Sequence, residues 1–220
     1  MSRKRAAVLI SGRGSNMAAL IEAAAAADYP AEIALVVANH ADAPGRRIAE
    51  AAGIAAKVVD HAPYGKDREA FERALDAELS AHAIDVVCLA GFMRLLTPWF
   101  VQRWEGRLIN IHPSLLPAFK GLDTHARALE AGVKIHGASV HFVVPEMDSG
   151  PIIAQAAVPV LDADTPETLA ARVLAAEHRI YPLALRLVSD GRVRVVDGRC
   201  LIAGPSAGTE VLMVPPSERR

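Results

Sequence analysis

Cysteines, long apolar runs and an excess of charge of either sign are what this 220-residue chain lacks. Its two cysteines, Cys88 and Cys200, lie far apart, and a chain of this length is expected to fold without disulfide staples. Cys88 sits inside Val86-Val87-Cys88-Leu89, the setting of a buried thiol, and a reducing cytoplasm is the expected location. The start, Met1 to Arg5, is basic, but the apolar run Ala6 to Ile10 ends at Ser11-Gly12 and is too short for a signal peptide or a membrane span. Lys and Arg total 24 against 25 for Asp and Glu, a net charge of −1 without a basic block. Neither nucleic acid nor an anionic membrane is therefore the expected partner, and a small molecule is. No internal repeat or interdomain linker is evident, and the length is enough to bury a large core.

What is present is an alternation of apolar strands and amphipathic helices. Ala6 to Ile10, Ile33 to Val37, Lys57 to Val59 and Asp85 to Ala90 read as strands. Between them Met17 to Ala27, Arg46 to Ala52 and Asp67 to Ala81 carry helical patterns. Strands apolar on both faces indicate a parallel sheet covered on both sides. Further on, Ala138 to Pro145 and Ile152 to Pro159 read as strands flanking the turn E-M-D-S-G-P. Thr165 with Pro166 opens a long helix that Gly191 ends, and Arg192 to Val196 with Arg199 to Ala203 resembles a hairpin around Asp197-Gly198. The expected fold is an open, mostly parallel α/β sheet with helices on both faces, a nucleotide-binding-type N-terminal half and mixed strands in the C-terminal half. Residues 1–198 form one catalytic domain in this reading, and 199–220 a terminal strand and loose tail.

Chemistry concentrates in Arg107 to Pro117, R-L-I-N-I-H-P-S-L-L-P. Asn110 and His112 are two apart on an apolar strand, so both project to one face, and Pro113 stops the strand. An amide donor and a titratable ring then share one space, although a pair of satisfied groups at a sheet end would have the same pattern. The turn Gly12-Arg13-Gly14-Ser15-Asn16 joins the first strand to the first helix, where backbone N–H groups suit a phosphate. It lacks the Lys-Ser/Thr pair of a Walker loop, and Met17 occupies the third glycine position of the dinucleotide fingerprint. The alternative is a glycine turn with Ser15 or Asn16 as N-cap.

Asp148, beside Ser149-Gly150-Pro151, can reach His112 from the later turn or simply bond its own backbone. Asn110, His112 and Asp148 would supply a donor, a proton carrier and its orienting carboxylate. The nearest hydroxyl, Ser114, is not obviously paired with His112, so the set suits transfer between two bound substrates. A zinc site is disfavoured because His136 and His141 face opposite ways on a continuous strand. Ala90 to Leu96, A-G-F-M-R-L-L, follows a strand end, where it lines a pocket for a flat ring or begins a helix as core.

In order and spacing, V-L-I-S-G-R-G-S-N, A-G-F-M-R-L-L, N-I-H-P-S-L-L-P, H-G-A-S-V-H-F-V, D-S-G-P and E-H-R-I-Y-P resemble the phosphoribosylglycinamide formyltransferase family, also called glycinamide ribonucleotide transformylases. The resemblance covers roughly Ala7 to Val195. It implies formyl transfer from 10-formyltetrahydrofolate, a co-substrate, to the amine of glycinamide ribonucleotide in purine (IMP) synthesis, without a metal. It places the ribonucleotide at Gly14, Ser15, Asn16 and Glu177. It places the folate at Met93, Arg94, Leu95 and Leu96, at Val144, Pro145, Glu146, Met147 and Asp148, and beside Asn110, with Arg68 toward its glutamate tail. His112 and Asn110 would stabilise the oxyanion, and Asp148 would raise the His112 pKa. Arg13 sits where many relatives have Asn, and the chain from Cys200 onward carries no resemblance.

Formyltetrahydrofolate deformylase has a similar Asn/His/Asp set behind a regulatory domain, for which the early position of Ser11 is expected to leave no room. Methionyl-tRNA formyltransferase adds a nucleic-acid-binding barrel, for which little sequence follows Val195. A non-catalytic folate- or nucleotide-binding protein need not keep the three residues together. A monomer and a homodimer both remain open, as does closure of Lys120 to Thr124 over the substrates about Gly121.

Overall fold

The computed structural model describes residues 2–204 and Val214. The chain begins with β1 (Lys4–Ile10), α1 (Ser15–Ala24), β2 (Ala31–Ala38), α2 (Gly45–Ala51) and β3 (Ala55–Val58). It continues through α3 (Arg68–Ala81), β4 (Val86–Leu89), α4 (Pro98–Arg103), β5 (Leu108–His112) and α5 (Thr124–Glu130). Then come β6 (Ile135–Phe142), β7 (Ile152–Pro159), α6 (Pro166–Ser189), β8 (Val193–Val196) and β9 (Arg199–Ile202).

Seven strands form one sheet in the order β3-β2-β1-β4-β5-β6-β7. The pairs from β3 to β5 are parallel, and β6 and β7 add antiparallel to them, so the expected mixed α/β sheet is borne out. The alternating side chains of β1 explain the two covering layers. Ala6, Val8 and Ile10 pack under α1 and α6 with Met17, Leu20 and Tyr181, while Ala7 and Leu9 meet Phe71, Leu75 and Phe100 of α3 and α4. Chain order reverses at β1, which lies between β2 and β4, and this is the crevice where open α/β sheets bind ligands.

Helix starts follow local chemistry. The Asp67 side chain accepts from Ala70 N at the head of α3, and Thr165 and Thr168 cap each other's backbone at the head of α6, with Pro166 in its first turn. Among the described residues no helix is long and apolar enough to cross a membrane. One expectation needs correction, and one alternative falls away. The strand read as Ala138 to Pro145 is β6, which starts at Ile135 and ends at Phe142, so Val144 and Pro145 belong to the following loop. Neither Ser15 nor Asn16 caps α1: Gly14 holds that place with a left-handed backbone (φ 74°) and no side-chain cap.

β8 and β9 form a separate hairpin, paired from Val193–Ile202 to Val196–Arg199, and Val193 and Cys200 rest on the α6-side core. The expected division after residue 198 falls in the turn of this hairpin. The loose tail expected beyond it lies outside the described residues, apart from Val214.

Candidate active site

The end of β5 brings Asn110 and His112 to the same face, as their spacing requires. Antiparallel pairing sets His141 of β6 directly opposite Asn110, and Ser139 opposite His112. The Asn110 amide nitrogen lies 3.3 Å from His141 Nε2. On the other side of that ring, Nδ1 lies 2.8 Å from the Phe142 carbonyl oxygen, which accepts its proton and leaves Nε2 as the acceptor for Asn110. Burial lowers the His141 pKa against the raising effects of the Phe142 carbonyl and Asp148, so the ring is neutral at pH 7. One Asn110 amide hydrogen is thereby committed, and the second meets no acceptor among the described residues and can meet a ligand.

Asp148 completes the group from the turn after β6, where it adopts φ 49°. Its Oδ2 accepts from Gly121 N at 2.9 Å and lies 3.5 Å from His112 Nδ1, and its Oδ1 lies 3.8 Å from His141 Nε2. Gly150 allows this turn to lie flat on the sheet, since a Cβ there would fall on the Phe142 carbonyl. His112 Nε2 lies 3.0 Å from the Phe119 carbonyl oxygen and gives it a proton. Both ring nitrogens of His112 thus face acceptors, the Asp148 carboxylate on one side and the Phe119 carbonyl on the other.

Ser114 is fully buried and donates to the Ala118 carbonyl at 2.7 Å, so it is not a nucleophile. Ser139 Oγ donates to the Ser114 carbonyl at 2.7 Å and accepts from Leu116 N and Gln155 Nε2, and Thr124 Oγ1 donates to the Pro113 carbonyl. These bonds fasten the P-S-L-L-P turn to β6, β7 and the start of α5.

The glycine turn lies at the end of β1. Asn16 Nδ2 donates to Glu177 Oε2 at 2.7 Å, so two expected ribonucleotide residues from opposite ends of the chain are in contact. Burial pushes the Glu177 carboxyl up, partly offset by that bond. Asn16 Oδ1 is buried without a partner among the described residues, and Arg13 is exposed. The Gly91–Leu96 segment is not the start of a helix: it is an irregular loop before Thr97, the N-cap of α4. Phe92 and Leu96 pack inward, with Phe92 stacked on Phe71, whereas Met93 and Leu95 are 69% and 63% exposed. Arg68 reaches this loop through a 3.4 Å bond from Nη1 to the Leu95 carbonyl, while Arg94 is half-buried. Val144 is half-buried, Pro145, Glu146 and Met147 are exposed, and the Met147 methyl approaches Gly121.

Local pattern does not announce His141, the Phe119 carbonyl, Gly121 N or Ser11, whose hydroxyl accepts from Met93 N at 2.8 Å. The H-G-A-S-V-H-F stretch held the signal for His141, but its meaning depends on strand register. The second strand histidine, His136, stands edge-on to His125 and Phe119, away from Asn110, with its pKa lowered by burial to about 4. Among the described residues no cluster suited to a metal ion is found.

An amide, an imidazole and a carboxylate brought together at the carboxyl end of β5, one strand from the switch point and with the nearby serine locked away, make a set suited to a group-transfer enzyme. The chain belongs to the formyl transferase family, whose model matches residues 4–185. It is 47% identical, over 90% of its length and 92% of the relative's, to the phosphoribosylglycinamide formyltransferase of Escherichia coli (strain K12). It is 52% identical over 88% of its length to the trifunctional purine biosynthetic protein adenosine-3 of Gallus gallus, of which it spans only 19%. Among solved structures, glycinamide ribonucleotide transformylase 1 from Symbiobacterium toebii superposes with a TM-score of 0.88 at 48% identity, covering 91% of this chain and 94% of that one.

Proposed function

We propose that this chain transfers the formyl group of 10-formyltetrahydrofolate to the amine of glycinamide ribonucleotide, giving the formylated ribonucleotide and tetrahydrofolate in purine biosynthesis. The observation that carries this reading is the free Asn110 amide hydrogen beside His112 and Asp148, next to a loop with outward apolar side chains. The 47% identity with the Escherichia coli enzyme over nearly the whole of both chains supports the choice of substrates.

The ribonucleotide phosphate meets the backbone N–H groups of Gly14, Ser15 and Asn16 at the head of α1, and Glu177 takes its ribose hydroxyls. The pterin lies between Met93 to Leu96 and Val144 to Asp148, with Arg68 toward the glutamate carboxylates. The substrate amine attacks the formyl carbon, and the carbonyl oxygen becomes an oxyanion received by Asn110 Nδ2 and His112 Nε2. That second contact requires the ring to exchange the Phe119 carbonyl for substrate. The tetrahedral intermediate collapses as the bond from carbon to the folate nitrogen breaks. His112 gives that nitrogen a proton, and the attacking amine returns one, with water as the shuttle. Asp148 orients the ring and balances its charge.

The test is tetrahydrofolate formation with and without glycinamide ribonucleotide, for wild type and His112→Ala. Ribonucleotide-dependent turnover that falls about a hundredfold or more in the variant supports the assignment. Formate release without ribonucleotide would point to hydrolysis, and near-normal turnover in the variant would remove His112 from the chemistry.

A further inference from the structure

The Gly91–Leu96 loop has no regular hydrogen bonding of its own, yet its backbone is tethered at both ends. At the start, Ser11 N donates to the Gly91 carbonyl at 3.1 Å and Met93 N donates to Ser11 Oγ at 2.8 Å. At the end, Thr97 N donates to Glu72 Oε1 at 2.7 Å, and the Thr97 hydroxyl donates to Glu72 Oε2. Glu72 is on α3, one turn after Arg68, and is 1% exposed. No basic side chain pairs with its carboxylate among the described residues. A buried carboxylate without a cation is costly, and burial pushes the Glu72 carboxyl up while the two Thr97 donors and Arg68 pull it back.

Helix capping alone does not call for this arrangement. A Thr at an N-cap ordinarily turns its hydroxyl oxygen onto its own helix, whereas Thr97 makes no such bond and points at α3 instead. The carboxylate therefore fixes where the loop ends relative to α3, and α3 also carries the arginine that meets the Leu95 carbonyl. With both ends fixed, Phe92 and Leu96 are held inward and Met93 and Leu95 outward. Apolar side chains held open to solvent on a fixed backbone are pre-organised for a ligand.

We propose that Glu72 is a positioning residue for the folate side of the reaction: by holding Thr97 it sets the backbone of Gly91–Leu96 and so governs folate affinity without touching either substrate. This rests on the placement of the pterin at Met93 to Leu96 proposed above. The experiment is steady-state kinetics with each substrate varied, together with thermal unfolding. Glu72→Ala is expected to raise the folate KM about tenfold, because the loop must then be ordered at the expense of binding, with the ribonucleotide KM within about twofold of wild type. Glu72→Gln restores most of the folate KM, because its amide oxygen can accept from Thr97 N and its NH2 can donate to the Thr97 hydroxyl.

Thr97→Val raises the folate KM in the same direction by less. Combined with Glu72→Ala it adds little, because the hydroxyl bond it removes is already lost in that variant. Thr97→Val, which keeps the shape of the side chain, carries the test if Glu72→Ala does not fold. An unchanged folate KM, or an equal rise in both KM values, overturns the proposal. Met93→Ala separates the two readings. If it raises the folate KM while the Glu72 and Thr97 variants do not, the positioning role alone fails. If it too leaves the folate KM unchanged, the pterin lies elsewhere and both readings fall.

Discussion

Asp148 and Asp164 occupy similar places, each in the segment that follows a late strand, but their surroundings differ. Asp164 is saturated: Arg172 donates to both its oxygens at 2.7 and 2.9 Å, and Leu161 N and Thr168 Oγ1 add further donors. Its side chain is 3% exposed, and the Arg172 guanidinium holds its carboxyl well below the usual carboxylate range. Asp148 accepts one short bond, from Gly121 N, and faces two imidazoles at 3.5 and 3.8 Å. A carboxylate with every lone pair engaged fixes a backbone, whereas one left short of donors can follow a proton that moves.

The sharpest way to break that comparison is Asp148→Asn. Turnover is expected to fall about a hundredfold or more, with little change in melting temperature. Near-normal turnover would show that the unsatisfied carboxylate is not used.

Glu177→Gln lies between the two cases. It is expected to raise the ribonucleotide KM about tenfold while leaving the melting temperature at pH 7 unchanged or higher. The sign follows from its raised folded pKa: the folded state binds this proton more tightly than the unfolded chain, so the ionised carboxylate costs stability as pH rises through that value. A lower melting temperature would class Glu177 with the structural carboxylates.

For Asp164→Asn the expected pattern is opposite, with turnover per folded molecule kept and stability lower by roughly 2 kcal/mol. Because its folded pKa is depressed, this contribution is complete above the ordinary carboxylate pKa and is lost as pH falls through the folded value. Melting curves of wild type and variant should therefore converge in acid, and a gap independent of pH would contradict the role of the charge. The smallest effect is expected from Ser114→Ala, about 1 kcal/mol for the bond to the Ala118 carbonyl, with turnover retained. Loss of turnover without loss of stability would reopen Ser114 as a participant.

Legibility in the sequence followed the range of the interaction. The two-residue spacing of Asn110 and His112 and the Thr165-Pro166 helix start are local rules, and both hold in the fold. The apolar composition of Phe92 to Leu96 was compatible with a helix start because composition cannot tell an inward Phe92 from an outward Met93. What separates them is Glu72, whose hold on Thr97 joins residues 25 apart. Likewise His141 meets Asn110 only through the register of β5 on β6. The Gly14 cap was hidden for another reason: the helix begins from a left-handed glycine without any side-chain cap, so no capping side chain marks its start.

The Asn110–His141 contact also gives the crevice a sense of direction. As long as Nε2 of that ring keeps its lone pair, the amide must show it a hydrogen, and the remaining hydrogen looks outward. Protonating His141 would turn the lone pair into a second hydrogen, and the amide would have to rotate and offer its oxygen inward. The burial that keeps His141 neutral is thus a ratchet on a neighbour that never titrates. Asn110 has no pH dependence of its own, yet which of its faces an incoming carbonyl meets is decided by a single electron pair on the adjacent strand.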